Sequence, residues 1–389
     1  MSELRPDTLA VRGGLTRSAF DETSEGLFLT SGYVYSSAQE AEAAFKDEID
    51  RFVYSRYGNP TVAMFQERMR LLEGAQACFA TATGMSAVFV ALAALLGKGD
   101  RVVSARGLFG SCFVILDEIL PRWGVETVFV DGSDLDQWRE ALSKPAAAVF
   151  FESPSNPMQE LVDIAAVCAL AHDAGAQVVV DNVFGTPVFS KPLEQGADVI
   201  VYSATKHIDG QGRTLGGAIL GTSEFIGGPV KNLMRHIGPS MSPFNAWVLL
   251  KGLETLSLRV ERMAASAFEL ARTLEAHPKI SRVIYPWLES HPQHELATKQ
   301  MYGGGTVVTF ELVGGKDEAF ALMNALQIVD ISNNLGDAKS MITHPATTTH
   351  RRLGPQARLA VGITDGVLRV SVGLEDVRDL IEDFERALT

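Results

Sequence analysis

The chain has 389 residues, 46% hydrophobic and 21% charged, with a net charge of −13. At about 150 residues per domain this allows two or three cores. The acidic balance excludes nucleic acid as a main partner, because phosphate binding needs clustered Lys and Arg, and the longest apolar stretch, 85–96, is too short to span a bilayer, so no membrane role is expected.

The N-terminal MSELRPDTLAVRGG lacks the apolar segment of a secretion signal. Cys78, Cys112 and Cys168 show no paired metal spacing, and their odd number suits a reducing compartment. These features predict a cytoplasmic protein without a metal.

Residues 1–57 read as irregular and polar, with aromatics spaced through them, among them Phe20, Tyr33, Phe45, Phe52 and Tyr54. One reading is a floppy tail. The other is an arm that packs on something, such as a neighbouring subunit. Regular patterns begin near residue 61. A helix is predicted over 61–73 and a strand over 75–80. A second helix opens at Thr83-Gly84 and runs to Leu96, with Thr81 and Thr83 available as caps. The free N–H groups at that start form an anion site. Strands are then predicted over 101–104, 125–130, 146–151, 177–180, 199–202 and 218–220. Helices are predicted over 111–123 and 164–174. Apolar strands without alternation, separated by helices, indicate a mostly parallel sheet covered on both faces. From Pro243 the pattern changes. One long helix is predicted over 244–277, followed by strands at 280–285, 306–312, 329–332 and 368–372, with helices near 316–326 and 375–388. This describes a smaller α/β domain.

The stretch VIVYSATKHIDGQGRTLGG, from Val199 to Gly217, concentrates the chemistry. A buried strand ends there among Ser203, Thr205 and Lys206. Strand mouths of an α/β sheet are where ligands sit. A lysine amine whose pKa is lowered by burial is a nucleophile toward carbonyls. Asp181 closes the strand VVVD. A carboxylate there is either a cap or the partner of a buried cation, such as the pyridine nitrogen of pyridoxal phosphate. Gly84 and Met85 offer backbone N–H groups, and Ser203 and Thr205 offer hydroxyls, to an anion. Tyr54 and Arg56, in YSRYGNPT, could extend that clamp, or Arg56 could form a structural ion pair. Arg369 lies inside the apolar strand VLRVSVG and needs an anionic partner, a substrate carboxylate or a structural one. Two competing motifs are weak. Ser203-Ala-Thr-Lys206 fits S-x-x-K, but it closes a strand and no later KTG follows. His291-Pro-Gln-His294 has H-x-x-H spacing without the glutamate and helix of a zinc motif.

Taken together, YSRYGNPT, ATGMSAV, ESPSNP, VVVDNVF, SATKHIDGQGR and LRVSVGLED make the sequence resemble the Cys/Met-metabolism family of fold type I pyridoxal-phosphate enzymes over nearly its whole length. The resemblance implies a mostly parallel seven-stranded sheet sandwiched by helices, with a smaller C-terminal α/β domain. It implies an arm (1–57) contacting a neighbouring subunit, a cofactor-binding domain (58–243) and a C-terminal domain (244–389). Lys206 would carry the cofactor and shuttle protons. Asp181 would hold the pyridine nitrogen, and Asn156 would approach the ring hydroxyl. Gly84, Met85, Ser203 and Thr205 would hold the phosphate, joined by Tyr54 and Arg56 reaching across to a second subunit of a homotetramer. Arg369, assisted by Asn334, would bind the substrate α-carboxylate. Many relatives that process cystathionine carry a Tyr where this chain has Phe109, which stacks but moves no proton. The implied reaction is γ-replacement on O-succinyl-L-homoserine with sulfide. Cystathionine γ-synthase, O-acetylhomoserine sulfhydrylase and γ-lyase activities are the alternatives within the family. A catalytically silent cofactor-binding protein is the alternative outside it.

Overall fold

A computed structural model describes residues 4–389. The arm is less irregular than its sequence suggests. It carries α1 (Pro6–Arg12) and α2 (Ala38–Phe45), the latter capped by Ser37, whose hydroxyl accepts from the Glu40 N–H at 3.1 Å. Two turns are too short for their periodicity to stand out from a polar background, and such helices hold through tertiary contacts. α3 (Pro60–Glu73) begins at Asn59, which accepts from the Thr61 N–H, and stops at Gly74 in the left-handed region at φ +71°. The Asn-Pro start and Gly stop are ordinary helix punctuation.

Seven strands build the large sheet. They are β1 (Ala77–Thr81), β2 (Arg101–Ala105), β3 (Glu126–Val130), β4 (Ala148–Glu152), β5 (Gln177–Asp181), β6 (Val199–Ser203) and β7 (Gly217–Gly221). Their order is β1-β7-β6-β5-β4-β2-β3, and only β7 runs antiparallel to its neighbours. The central strands are buried along nearly their whole length, with Val178, Val179 and Val180 fully so. That two-sided burial is why they read as continuous apolar runs. α4 (Gly84–Leu95) packs on β6 and β7. The parallel strands β4, β5 and β6 all end on one edge of the sheet, at Glu152, Asp181 and Ser203.

Two predicted helices are broken. Over 111–123 the chain forms an α turn (Gly110–Val114), a π segment (Ile115–Ile119) and a 3-10 turn (Leu120–Trp123). Pro121 has no N–H to continue the α ladder, and the chain shifts register ahead of it. Over 244–277 there are two helices, Pro243–Leu253 and Leu256–Glu275. Arg259 donates to the Gly252 carbonyl at 2.7 Å and to the His207 carbonyl at 2.8 Å. It takes the Gly252 acceptor out of the helix ladder, and Gly252 abuts Ile208, where a Cβ would meet a carbonyl at 2.1 Å.

The second sheet holds β8 (Ile280–Ile284), β9 (Val307–Leu312), β10 (Asp330–Ile331), β11 (Met341–Thr343) and β12 (Val367–Ser371), in the order β10-β11-β12-β9-β8. β11 has three residues and was not legible in the sequence. β10 keeps only two of the predicted four. The helices Leu256–Glu275 and Val377–Ala387 cover this sheet around Phe310 and Phe384. No helix among the described residues is long and apolar enough to cross a membrane.

Candidate active site

A cavity of about 250 Å³ opens where β4, β5 and β6 end and the second sheet closes over them. This is the carboxyl edge of a parallel sheet, the position that ligands take in such folds.

Lys206 sits one turn beyond β6 and lines the cavity. Its amine donates to Asn334 Oδ1 at 2.6 Å. Burial, and then the charge of Arg369, lower its pKa to about 8. An amine so placed is partly neutral near physiological pH and therefore nucleophilic. His207 beside it is buried, bonds Thr306 Oγ1 at 2.7 Å and is held neutral by burial, with a pKa near about 3. Its role is to fix the turn.

Asp181 also lines the cavity. One oxygen accepts from the Val183 N–H at 3.0 Å, so the residue does cap its own turn. Burial still raises its pKa to about 7. A half-buried carboxylate at a cavity wall with so little compensation calls for a cation nearby.

The anion-binding groups come together at the start of α4. Thr83 caps that helix by accepting from the Ser86 N–H at 3.1 Å. Thr81 does not cap; its hydroxyl donates to the Thr83 carbonyl at 2.8 Å. The first N–H groups of the helix, from Gly84 and Met85, have no acceptor within it. A Cβ on Gly84 would lie 2.5 Å from the Cβ of Ser203, so only glycine lets the helix start approach the end of β6. Thr205 lines the same end and exchanges hydrogen bonds with the Gly216 backbone.

Arg369 rises from β12, 1% exposed. It donates to Asn156 Oδ1 at 2.9 Å and to the carbonyls of Asn333 and Asn334 at 2.9 and 3.2 Å. Its Nε has no partner, and no carboxylate pairs with it among the described residues. Burial lowers its pKa to about 10. A buried guanidinium satisfied only by neutral oxygens is a receptor for an incoming carboxylate.

The cavity therefore gathers Lys206, Asp181, Asn156, Phe109, Ser203 and Arg369. Asn333 lines it directly, whereas Asn334 acts through Lys206 and Arg369. Tyr54 and Arg56 are elsewhere. Arg56 stacks on the rings of Tyr54 and Tyr57 and donates to the Arg235 carbonyl, with no ion pair among the described residues. His291 and His294 are occupied locally, His291 Nδ1 accepting from the Gln293 N–H and His294 facing the Pro286 carbonyl. Glu152 was missed. It ends β4 in register with Asp181 and is buried in the cavity wall. The signal was present, since an acid closes the apolar strand AVFF as Asp181 closes VVV.

These groups suit pyridoxal phosphate. They supply an amine, an acid for the ring nitrogen and a glycine-lined helix start for the phosphate. The sheet, the lysine and the acid define a pyridoxal-phosphate enzyme of fold type I. The profile of the Cys/Met metabolism PLP-dependent enzymes matches residues 7–389, and the chain belongs to that family. It is 64% identical to an O-succinylhomoserine sulfhydrylase of Mycobacterium tuberculosis, over 98% of this chain and 95% of that one. It is 50% identical to an O-succinylhomoserine sulfhydrylase of Pseudomonas aeruginosa, over 98% and 94%. A solved structure from Campylobacter jejuni that carries an N'-pyridoxyl-lysine-5'-monophosphate is 30% identical and superposes with a TM-score of 0.95, covering 99% of this chain and 100% of that one.

Proposed function

We propose that the protein replaces the γ-substituent of O-succinyl-L-homoserine with sulfide, giving homocysteine and succinate for methionine biosynthesis. The observation that carries this reading is one cavity holding a depressed-pKa lysine, a ring-facing acid and an arginine without an anion. The identity to two sulfhydrylases adds the leaving group and nucleophile.

Pyridoxal phosphate, when bound, withdraws electrons from the substrate α-carbon. The chain's own residues do the rest. Arg369 grips the α-carboxylate and fixes the α-carbon over the site. Lys206 holds the cofactor, then removes the α-proton and returns it. Asp181 would keep the ring nitrogen protonated, and Asn156 would approach the ring hydroxyl. Phe109, which lines the cavity, would cover the ring and exclude water without offering a proton. Gly84, Met85, Ser203 and Thr205 hold the phosphate. Residues 58–243 serve as the cofactor domain and 244–389 as the domain that closes over it.

The working unit in this reading is a pair of subunits, with two pairs making a cytoplasmic homotetramer. Tyr54 and Arg56 of one subunit reach the phosphate of the next. Neither lines the cavity of its own chain, and Arg56 is turned to the Arg235 carbonyl, which supports this. So do the exposed Phe20 and Val34 of the arm, at 90% and 91%. An open groove of about 760 Å³, which shares Met85 with the cavity, leaves room for a neighbour's arm.

The test is an assay of homocysteine with sulfide and either the succinyl or the acetyl ester, alongside cysteine as an alternative nucleophile. Preference for the succinyl ester and sulfide is expected. Cystathionine from cysteine as the main product, or γ-elimination alone, would overturn the assignment in favour of a sister activity.

A further inference from the structure

Glu152 has no part in the chemistry set out above, yet it bonds two residues of the site's framework. It is 4% exposed, and its ligand oxygen lies within 4.8 Å of both an Asp181 oxygen and the Cys112 sulfur. Its Oε1 accepts from the Phe109 N–H at 2.7 Å and its Oε2 from the Asn156 N–H at 3.2 Å. The Cys112 sulfur stands beside it without a hydrogen bond to it among the described residues. Two backbone donors converge on this carboxyl, one on each oxygen, the environment of an ionised carboxylate. Against that, burial and the adjacent Asp181 charge both push its pKa well up. Two carboxylates this close, one buried and one half-buried at the cavity wall, do not both stay charged without a cation between or beside them.

The bonds reach two separate segments. Phe109 precedes the turn Gly110–Val114, and Asn156 lies in the loop after β4. Asn156 in turn accepts from Arg369. Glu152 therefore ties the residue that covers the ring, the residue that faces the ring hydroxyl and, through it, the carboxylate receptor.

We propose that Glu152 is a positioning residue for the cofactor: its carboxylate sets Phe109 and Asn156 about the ring, and its charge, added to that of Asp181, holds the ring nitrogen protonated. This rests on the cofactor reading above. The ionisable groups that face Glu152 are Asp181 from β5 and Cys112 from the turn, with Lys206 and Arg369 across the cavity. The pyridinium of the bound cofactor is the cation that lets both carboxylates ionise.

The experiment uses the full chain loaded with ¹⁵N-labelled pyridoxal phosphate. Cofactor Kd is measured by equilibrium dialysis, and the ring-nitrogen protonation midpoint by ¹⁵N NMR against pH. In Glu152→Gln the charge is lost and one acceptor with it. At an effective dielectric near 20, a charge at about this separation shifts a proton affinity by roughly tenfold or more, so the midpoint falls by at least about one pH unit. Cofactor Kd rises by about tenfold. Glu152→Asp keeps the charge but shortens the reach, so Kd rises while the midpoint stays near that of the parent chain. The Asp variant also decides the matter should the Gln variant fail to fold. Parent-like Kd and midpoint in both variants, or in Asp alone where only Asp folds, would overturn the inference. Failure of the parent chain to bind the cofactor would instead overturn the reading beneath it.

Discussion

Lys206 Nζ donates to Asn334 Oδ1 at 2.6 Å, and the backbone carbonyl of the same Asn334 accepts from Arg369. One residue of the second sheet's connecting loop thus tethers the nucleophile beyond β6 of the large sheet and the carboxylate receptor on β12 of the second sheet. The amine and guanidinium face each other across the cavity, and Arg369 helps to keep Lys206 acidic.

Cofactor loading should follow the neutral amine of Lys206. With its pKa near about 8, the loading rate climbs as pH rises and levels off above that value. At pH 6 the neutral fraction is about a hundredfold below the plateau. Stopped-flow absorbance between pH 6 and 10 measures this. Arg369→Leu removes a positive neighbour and moves the midpoint upward. A rate independent of pH would remove Lys206 from the attachment step.

Replacing Lys206 with Ala takes away the base as well as the attachment point. Turnover to homocysteine should fall by at least about 10³-fold, the range for loss of a positioned acid–base group. Cofactor should then leave on dialysis. Parent-like turnover in this variant would sink the assignment.

Much of this was legible beforehand, for physical reasons. Strands buried on both faces must be apolar throughout, so β4, β5 and β6 stood out, as did the polar residues that end them. Lys206, Asp181 and Arg369 are charges in apolar surroundings, and such charges need a reason. The rest depended on tertiary contacts. The break at Glu254–Thr255 follows from Arg259 capturing carbonyls 51 and 52 residues away. The role of Glu152 depends on two backbone N–H groups, which carry no sequence signature. The place of Tyr54 and Arg56, away from their own cavity, depends on how the arm lies.

Arg369 should act on binding more than on chemistry. Arg369→Lys keeps the charge but loses the planar fork that matches a carboxylate. KM for the homoserine ester should rise by about tenfold in Lys and by about a hundredfold or more in Leu, with a smaller change in kcat. Steady-state kinetics with saturating sulfide supply the numbers. An unchanged KM would assign Arg369 a structural role.

Asp181 should make the cofactor-free protein sensitive to pH. Burial raises its folded pKa to about 7, above the ordinary aspartate value of 3.8. The folded state therefore binds the proton more tightly. Stability falls as pH rises through the window from about 4 to 7, by at most about 4 kcal/mol from this group. Bound cofactor offsets the loss by supplying a cation. Thermal melts of the cofactor-free chain at pH 5 and 8 should differ less in Asp181→Asn than in the parent. Equal differences would place the burial cost elsewhere.

The arm is anchored by a buried ion cluster, and breaking it should detach the arm before it unfolds the sheet. Arg68 of α3 has a fully buried side chain. It donates to Glu25 Oε1 at 2.6 Å, to the Gly13 carbonyl at 2.9 Å and to the Leu250 carbonyl at 3.2 Å. Lys251 pairs with the other Glu25 oxygen. Two stretches of the arm, at 13 and 25, are thereby fixed to α3 and to the helix Pro243–Leu253. Arg68→Met leaves Glu25 buried with only Lys251, at a cost of about 3–5 kcal/mol. Urea unfolding measures that loss. Limited proteolysis should cut within 14–35 in the variant under conditions that leave the parent intact. Adding Glu25→Gln removes the stranded charge and should restore part of the stability, since the penalty lies in the uncompensated carboxylate more than in the lost bond. A double variant as unstable as the sum of the singles would show that the two residues act independently.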